Sequence, residues 1–210
     1  MSTGIDMSAR PRRSMRSHQA VLAAAVQIAA RRGYGSTTVE EIAAQAGVGK
    51  QTIYRWWPNK AALFIEVYGR LVPPDLVAEH TGTLRGDLEA LLSALSRIYG
   101  ATPAGTILSG LIAEAQADPA LAEQLRETYV VPRRAILGSI LERAAARGEI
   151  SRPDDLDFVS DLVSGAVWFR LLLGECRLDR AFRTQLVDAI LHGILPRVSG
   201  AKAKQSSKKT

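Results

Sequence analysis

The glycine turn at Gly47 most constrains the fold, because it joins two short helical patterns. The first pattern begins at the capping-box pair Thr38 and Glu41 and ends at Gly47. The second runs from Lys50 to about Trp56, because a proline two residues later biases the chain away from helical geometry. Two short helices joined by a glycine turn predict a helix-turn-helix.

The same turn contains Gly-x-Gly-Lys-x-Thr, which is similar to part of a nucleotide-binding phosphate loop. Such a loop needs Gly-x-x-x-x-Gly-Lys followed at once by Ser or Thr, because that hydroxyl must reach the magnesium ion. Ala44 stands in place of the first glycine, and Gln51 follows Lys50. The residues upstream carry a helical pattern and lack the β-branched run of a buried strand. The sequence therefore favours the helix-turn-helix.

Apolar residues at three- and four-residue spacing recur along the chain and predict an all-α protein. The first helix is predicted over about 15–32, and a fourth helix is predicted from the cap Asn59 to about Leu71. Further helices are predicted over Leu84 to Tyr99, Thr106 to Ala117, Leu121 to Arg147 with a kink or break at Pro132, Asp155 to Leu173, and Leu178 to Leu195.

The net charge of +6 is unevenly distributed along the chain. Residues 1–60 hold nine Lys/Arg against three Asp/Glu, residues 61–200 hold fourteen against eighteen, and the last ten hold four Lys. A nucleic-acid-binding end joined to a neutral or acidic body has this asymmetry, and so does a solvated basic arm without a partner. The predicted domains are a disordered basic arm over 1–14, a helix-turn-helix over 15–63, a helical body over 64–198 and a disordered basic tail over 199–210.

Several classes of protein are disfavoured by the motifs that the sequence lacks. A single Cys176 cannot form an intramolecular disulfide, and neither a signal-peptide core nor a membrane-length apolar run is present, which predicts a cytoplasmic protein. His18, His80 and His192 lack zinc-site spacing, so neither a metal nor a cofactor is expected. Gly-x-Ser-x-Gly and Gly-x-Gly-x-x-Gly are absent, so an enzyme is the disfavoured alternative, and a turnover assay would test it.

The first residues of a recognition helix read bases in the major groove of DNA. Here they are Lys50, Gln51 and Thr52. Lysine can donate to guanine, glutamine can pair with adenine, and threonine offers a hydroxyl together with a methyl group for thymine. These side chains suit base contacts, although many exposed helix starts would look the same.

Three aromatic residues follow, namely Tyr54, Trp56 and Trp57. One helical turn cannot bury all three, so at least one is expected to face outward. Tyr54 suits a phosphate contact through its hydroxyl, whereas Trp57 suits the core between the first and fourth helices. Lys60, at a helix N-terminus, is predicted to form an anion site, and Thr38 could contact the same phosphates.

The segment GSTTVEEIAAQAGVGKQTIYRWWPNKAAL resembles the N-terminal signature of TetR-family transcriptional regulators. The resemblance rests on the Gly-x-Thr-Thr entry, the Ile-Ala-x-x-Ala-Gly-Val turn, the Thr-Ile-Tyr recognition helix and the aromatic-Pro-x-Lys exit, and it spans Val21 to Leu63. The family has an all-helical body that dimerises through its last two long helices, here near 155–173 and 178–195. A cavity in that body binds a small ligand that releases the head from DNA. Residues 103–196 also look like one C-terminal branch of the family.

The resemblance implies DNA-contacting residues and a ligand pocket. The predicted DNA-binding residues are Thr38, Lys50, Gln51, Thr52, Tyr54, Trp56 and Lys60. The predicted pocket residues are Phe64, Tyr68, Leu108, Ile112, Tyr129, Arg133, Leu137, Trp168 and Phe169, with ordinary core packing as the alternative for each. Gly49 departs from the family's usual Ser or Pro, but glycine also caps a helix.

The resemblance predicts a homodimeric repressor that binds a palindromic double-stranded DNA operator and is released by a small-molecule effector. In one alternative the body binds a protein partner or acts without a ligand. An activator, or a repressor that needs a co-repressor, also remains open. Arg133 and Arg134, near the predicted kink, could pair with an anionic ligand or lie on a solvated face. Cys176 could sense redox state only if exposed and with a lowered pKa.

Overall fold

The computed structural model describes residues 9–73, 76, 80–151, 155–173 and 178–193, and these contain helices and no strand. The helices are α1 (Ala9–Arg32), α2 (Val39–Ala46), α3 (Lys50–Trp56), α4 (Lys60–Leu71), α5 (Leu84–Ala101), α6 (Ala104–Ala115), α7 (Pro119–Leu125), a π-helical turn (Arg126–Val130), α8 (Val131–Ala146), α9 (Leu156–Leu172) and α10 (Arg180–His192). The predicted all-α class, an N-terminal helix-turn-helix with a larger helical body, is confirmed.

The start of α1 corrects the predicted boundary. The helix begins at Ala9 rather than at about residue 15, so residues 9–14 extend it into the segment expected to be a disordered arm. Pro11 lies in the first turn, where a backbone N–H has no intrahelical acceptor to lose, so this proline is compatible with the helix. Residues 1–8 and 194–210 lie outside the described residues, so the predicted disorder of the two ends stays a prediction.

Local capping chemistry explains the helix-turn-helix. Glu41 N–H donates to Thr38 Oγ1 and Thr38 N–H donates to the Glu41 carboxylate, each at 3.2 Å, which is the predicted capping box. Gly47 ends α2 with φ of 65°, a left-handed conformation that glycine adopts without strain. Ile42 and Ile53 are buried and anchor α2 and α3 in the core.

The break predicted at Pro132 appears as a π-helical turn. The N–H of Val131 donates to the carbonyl of Arg126, five residues earlier, and α8 then begins with Pro132 in its first turn. A proline there cannot donate to the preceding turn, so the chain widens before it and continues as a new helix. Tyr129 lies in this turn and Arg133 in the first turn of α8, on the two sides of the break.

One continuous core connects the head and the body through α4. Trp57 is 4% exposed, as predicted, and its indole N–H donates to Glu66 of α4 at 2.9 Å. Because α4 packs on both α1 and α6, a displacement of α4 reaches both parts of the molecule. The division at residue 63 stays a prediction. No helix in the described part of the chain is long and apolar enough to cross a membrane.

A buried carboxylate ties α5 to α8. Asp87 is 0% exposed and accepts hydrogen bonds from the Thr81 N–H at 2.7 Å and the Thr81 hydroxyl at 2.8 Å. Arg147 and Arg143 approach its other oxygen at 3.4 and 3.9 Å. Burial alone would raise the pKa of Asp87, but the bonds from Thr81 and the two cations outweigh it and hold the pKa below its usual value. The ionised carboxylate therefore stabilises the fold.

Candidate nucleic-acid interface and ligand cavity

One side of α3 is exposed and polar. Lys50, Gln51, Tyr54 and Arg55 are exposed, whereas Ile53 is 1% exposed and holds the opposite side in the core. Positions i, i+1, i+4 and i+5 lie on one side of a helix, so the four side chains form a single surface, the α3 face. Arg55 was not among the predicted contacts, although its position one turn after Gln51 could have indicated it.

One of the two cations of the α3 face, Lys50, is already paired with α2. Lys50 donates to Glu40, and its ammonium lies 5.6 Å from the centre of the Tyr54 ring. The hydrogen bond from Lys50 holds the pKa of the Glu40 carboxyl below its usual value, so the pair is ionised at neutral pH. A phosphate or base that binds Lys50 must therefore compete with Glu40.

Thr52 and Trp56 lie beside the α3 face, which adjoins their cleft at Arg55. They line a polar cleft of about 480 Å³ between α1 and the glycine turn, together with Ser14, Ser17, Gly47, Val48, Gly49 and Arg55. The Trp56 ring lies 5.3 Å from the His18 ring and 5.5 Å from the Trp57 ring, so α1 supports it. The predicted DNA contacts thus divide between an exposed helix face and the adjoining cleft.

Lys60 and Thr38 occupy the ends of two neighbouring helices. Thr38 is exposed and caps α2 with its hydroxyl. Lys60 begins α4, where the Asn59 side chain accepts from Ala62 N–H at 2.8 Å. The Lys60 ammonium lies 4.1 Å above the centre of the Tyr34 ring and 3.4 Å from the Tyr34 carbonyl oxygen. These contacts hold its charge near the start of α4.

A contact that no sequence pattern indicated joins the head to α6. The Tyr34 hydroxyl donates to Glu114 at 2.5 Å, and its ring packs against Phe64 at 5.0 Å and against Gly110. Burial first, and then the hydrogen bond to Glu114, raise the pKa of Tyr34, so the phenol stays protonated. The loop before α2 is therefore fixed to the body by one aromatic side chain.

Two neighbouring cavities in the body share Tyr129 and Arg133. The inner cavity, of about 90 Å³, is lined by Ile65, Tyr68, Gly69, Val72, Leu111, Leu125, Thr128, Tyr129, Pro132 and Arg133. The outer cavity, of about 280 Å³, is lined by Tyr129, Val130, Arg133, Arg134, Asp161, Ser164, Gly165 and Trp168. Because α4 and α6 line the inner cavity, a molecule bound there would contact the helices that meet the head.

Three buried tyrosine hydroxyls form a chain beside these cavities. Tyr68 and Tyr99 are 2.9 Å apart, Tyr99 and Tyr129 are 3.1 Å apart, and the Trp168 N–H lies 3.4 Å from the Tyr129 oxygen. Burial, followed by the neighbouring phenols, raises the pKa of Tyr68 well above its usual value. Tyr99 was missed from the sequence, because its partners lie thirty or more residues away.

The structure divides the predicted pocket residues into two groups. Tyr68, Tyr129, Arg133 and Trp168 line the two cavities, and Leu137 lines a third, of about 30 Å³, beside them. Phe64, Leu108, Ile112 and Phe169 line none of these three cavities, and their role in a pocket stays a prediction. Phe64 and Leu108 are buried in the core, Ile112 packs at its edge, and Phe169 is 66% exposed on α9.

Helix α9 carries an exposed apolar surface. Its exposed large side chains are Phe158, Leu162, Phe169, Leu172 and the adjacent Leu173. Leu162 follows Phe158 by four residues, Phe169 follows Leu162 by seven, and Leu172 and Leu173 follow Phe169 by three and four, so all five lie on one side of the helix and form one stripe, the α9 stripe. The stripe coincides with a helix predicted to form the dimer interface. Cys176 lies outside the described residues.

The chain matches two family models. Residues 21–67 match the bacterial regulatory proteins of the tetR family, and residues 78–190 match the Tetracyclin repressor-like C-terminal domain. It is 34% identical over 175 residues to the DNA-binding transcriptional repressor TetR of Mycobacteroides abscessus, covering 82% of this chain and 90% of that protein. It is 31% identical over 177 residues to the HTH-type transcriptional regulator YdeS of Bacillus subtilis, covering 84% and 89%.

Two solved structures are similar over most of the chain. The TetR family transcription regulator SCO0332 has a TM-score of 0.69 and 37% identity, covering 86% of this chain and 99% of that one. FadR of Bacillus subtilis, solved with stearoyl-CoA, also has a TM-score of 0.69, at 21% identity, covering 84% and 99%. At that identity the second comparison shows the shared fold alone.

Proposed function

Because the chain belongs to the TetR family of bacterial transcriptional regulators, we propose that it is a dimeric repressor that a small molecule releases from a palindromic operator. The family membership makes it a DNA-binding regulator with a helix-turn-helix head. The proposal gives residues 64–198 the regulatory and dimerisation roles. It also assigns the protein to the cytoplasm and gives it a binding function rather than a catalytic one.

The observation that carries the proposal is the α3 face. A recognition helix must present several donors and acceptors together while its other side is fixed, and the burial of Ile53 beneath Gln51 and Arg55 meets that requirement. In the proposed complex Lys50 and Gln51 contact base edges. Tyr54 and Lys60 contact phosphates, and Thr38, Thr52 and Trp56 border the same DNA strand.

The α9 stripe supports the proposed homodimer. Exposed apolar side chains at helical spacing lose unfavourable contact with water when a second copy covers them. Two identical heads then read two half-sites about one helical turn of DNA apart, and this symmetry is why the operator is proposed to be palindromic. Helices α9 and α10, near 155–173 and 178–195, are the proposed interface.

The position of α4 supports control by a ligand. It begins at Lys60 in the proposed DNA interface and contributes Ile65 and Tyr68 to the inner cavity. A ligand that binds better to a state with altered head spacing weakens operator binding, and by linkage the operator weakens ligand binding by the same factor. The effector is therefore proposed to bind in the body and act through α4.

Fluorescence anisotropy with a labelled duplex from upstream of the protein's own gene tests the proposal. A shuffled duplex provides the non-specific reference, and each Kd is measured at several salt concentrations. Specific binding is expected to be about 10³-fold or more tighter than non-specific binding. Tyr54→Phe and Lys60→Ala should weaken binding to both duplexes, and Lys60→Ala should reduce the salt slope by about 1.

Arg126→Ala is the charge-matched control, because Arg126 is exposed on the π-helical turn and pairs there with Glu123. It should bind like the wild type. Equal affinity for both duplexes, or the same weakening in Lys60→Ala and Arg126→Ala, would contradict the assigned interface.

A further inference from the structure

Arg133 and Arg134 are adjacent in sequence and differ in their ionic partners. Arg134 donates to Asp157 at 2.9 Å and to Asp161 at 2.8 Å, so two carboxylates surround it. Among the described residues no carboxylate lies within ion-pair distance of Arg133. Its Nη2 lies 3.5 Å from the carbonyl oxygens of Val72 and Pro73, which is at the weak end of hydrogen bonding.

The guanidinium of Arg133 also has a buried atom without a partner. Its Nη1 is buried and donates to no described group, while the side chain lines both the inner and the outer cavity. A buried donor of a charged group that lacks an acceptor is costly, and a charge is normally paired when it is removed from water. The guanidinium also lies 5.6 Å from the centre of the Tyr129 ring, so its charge meets an aromatic ring and no described carboxylate beside the space that a ligand would occupy.

The tyrosine chain adds donors to the same space. Two hydrogen bonds among three hydroxyls use two of the three protons. When both bonds run in the same direction, the third O–H is left at one end of the chain, on Tyr68 or on Tyr129. Both of these residues line the inner cavity beside Arg133. With the bonds running in either of these directions, a bound molecule meets a guanidinium and a phenol O–H.

The remaining lining of the inner cavity is mainly apolar. Its aliphatic side chains come from Ile65, Val72, Leu111, Leu125 and Pro132. In the outer cavity the Trp168 ring lies nearly parallel to the Tyr129 ring, with 5.7 Å between their centres. The acid of that cavity, Asp161, is already paired with Arg134. The lining therefore selects an apolar body attached to one anionic group.

We infer that the effector is an apolar organic acid whose carboxylate binds Arg133 and whose hydrocarbon or aromatic part fills the adjoining cavities. This inference rests on the proposed ligand-controlled function and names its ligand class. A planar carboxylate matches the guanidinium in two parallel hydrogen bonds. It would satisfy Nη1 and replace the two long contacts to the carbonyls at the end of α4, so binding would release α4 from Arg133.

Matched acid and amide probes test the inference by isothermal titration on the full chain. The pairs are octanoate with octanamide, and phenylacetate with phenylacetamide, because each amide keeps the shape of its acid and removes the charge. At least one acid is expected to bind the wild type about 10- to 100-fold more tightly than its amide. Equal Kd values within both pairs, or no binding by either acid up to its solubility limit, would overturn the inference.

Three variants assign that preference to Arg133. Arg133→Met should bind the acid and its amide about equally, while its Kd for the amide stays within about threefold of the wild type, which shows that the cavity is intact. Arg133→Lys, a second variant that keeps the charge, should retain a smaller preference for the acid. Arg126→Met is the control and should behave as the wild type. A full preference in Arg133→Met would overturn the inference.

Operator binding separates this inference from the proposed function. If the protein binds its operator and ignores both acids, the regulator stands and the ligand class is wrong. If it binds an acid through Arg133 but shows no specific DNA binding, the ligand class stands and the proposed function is wrong. If both hold, the acid should weaken operator binding in the wild type and fail to do so at the same concentration in Arg133→Met.

Discussion

Replacing Gly110 by alanine tests whether the contact between α6 and Tyr34 holds the head on the body. A Cβ atom at position 110 would lie 2.3 Å from Cδ1 and 2.6 Å from Cγ of the Tyr34 ring, and side chains essentially never approach so closely. The ring cannot easily move away, because it packs on Phe64 and its hydroxyl is bound to Glu114. The substitution must therefore displace the ring or α6.

The magnitude follows from two opposing effects. Overpacking a well-packed contact costs about 1–3 kcal/mol. Alanine in place of glycine within a helix returns about 1 kcal/mol. Gly138→Ala is the matched control, because Gly138 lies inside α8 and an added Cβ would meet no heavy atom within 4 Å. Gly138→Ala should be more stable than the wild type, and Gly110→Ala should be less stable than Gly138→Ala by about 1–3 kcal/mol.

Urea denaturation of each variant at one fixed protein concentration measures these differences, since the stability of a dimer depends on concentration. The double variant Gly110→Ala with Tyr34→Ala supplies the decisive comparison. Tyr34→Ala removes the ring and leaves only the Tyr34 Cβ, 2.8 Å from the added Cβ, so the alanine at 110 should cost less relative to the Tyr34→Ala single variant than it costs in the wild type. Equal stability of Gly110→Ala and Gly138→Ala would refute the close contact, and so would an unchanged cost of the Gly110 substitution without the ring.

Three further perturbations address other parts of the molecule. Asp87→Asn should cost about 3 kcal/mol in urea denaturation at pH 7. Because the pKa of Asp87 is depressed in the folded state, its contribution to the free energy of unfolding is present above about pH 4 and is lost as the pH falls through the folded pKa. If Asp87→Asn loses stability in acid as steeply as the wild type does, the ionised carboxylate is not the source of this contribution. Phe169→Glu should convert dimers to monomers in light scattering, because it puts a charge in the proposed interface. Met15→Glu, which alters a side chain of similar exposure on α1, is the control and should stay dimeric. If both variants are dimeric, the α9 stripe is not the interface. Glu40→Gln should free Lys50 and tighten operator binding about two- to fivefold in anisotropy, and weaker binding would show that the ion pair assists recognition.

The sequence indicated the elements whose causes are local. Thr38 with Glu41, Gly47 and Asn59 mark helix ends through contacts within four residues, and each predicted end agrees with the structure. Pro132 likewise marked the break, because a missing N–H acts on the preceding turn. The start of α1 at Ala9 was missed, because residues 9–14 carry no apolar stripe that distinguishes them from a solvated basic arm.

Contacts between distant segments were out of reach of sequence patterns. Nothing in the spacing of Tyr34 and Glu114, eighty residues apart, indicates that they meet. The pocket prediction chose apolar and aromatic residues on helices of the body, and a residue that packs in the core has the same pattern as one that lines a cavity. Phe64 and Leu108, which are buried in the core, were therefore predicted together with residues that line the cavities, while Tyr99 was omitted.

The head is attached to two helices that both line the inner cavity, and this limits how a ligand could act. Lys60 begins α4, Tyr34 contacts α6, and Ile65 of α4 faces the cavity together with Leu111 of α6. A twelve-residue α4 is about 18 Å long, so a tilt of about 5° at its cavity end moves Lys60 by about 1.5 Å. In a dimer the two heads would then change separation by up to about 3 Å, against a half-site spacing of about 34 Å.

If α6 moved with α4, Tyr34 would follow and the head would shift as a rigid unit. If only α4 moved, Lys60 would leave the Tyr34 ring, and the head would have to break one of its two attachments. The close packing of Tyr34 on Gly110 favours the first course, because the ring transmits a displacement of α6 directly to the loop before α2.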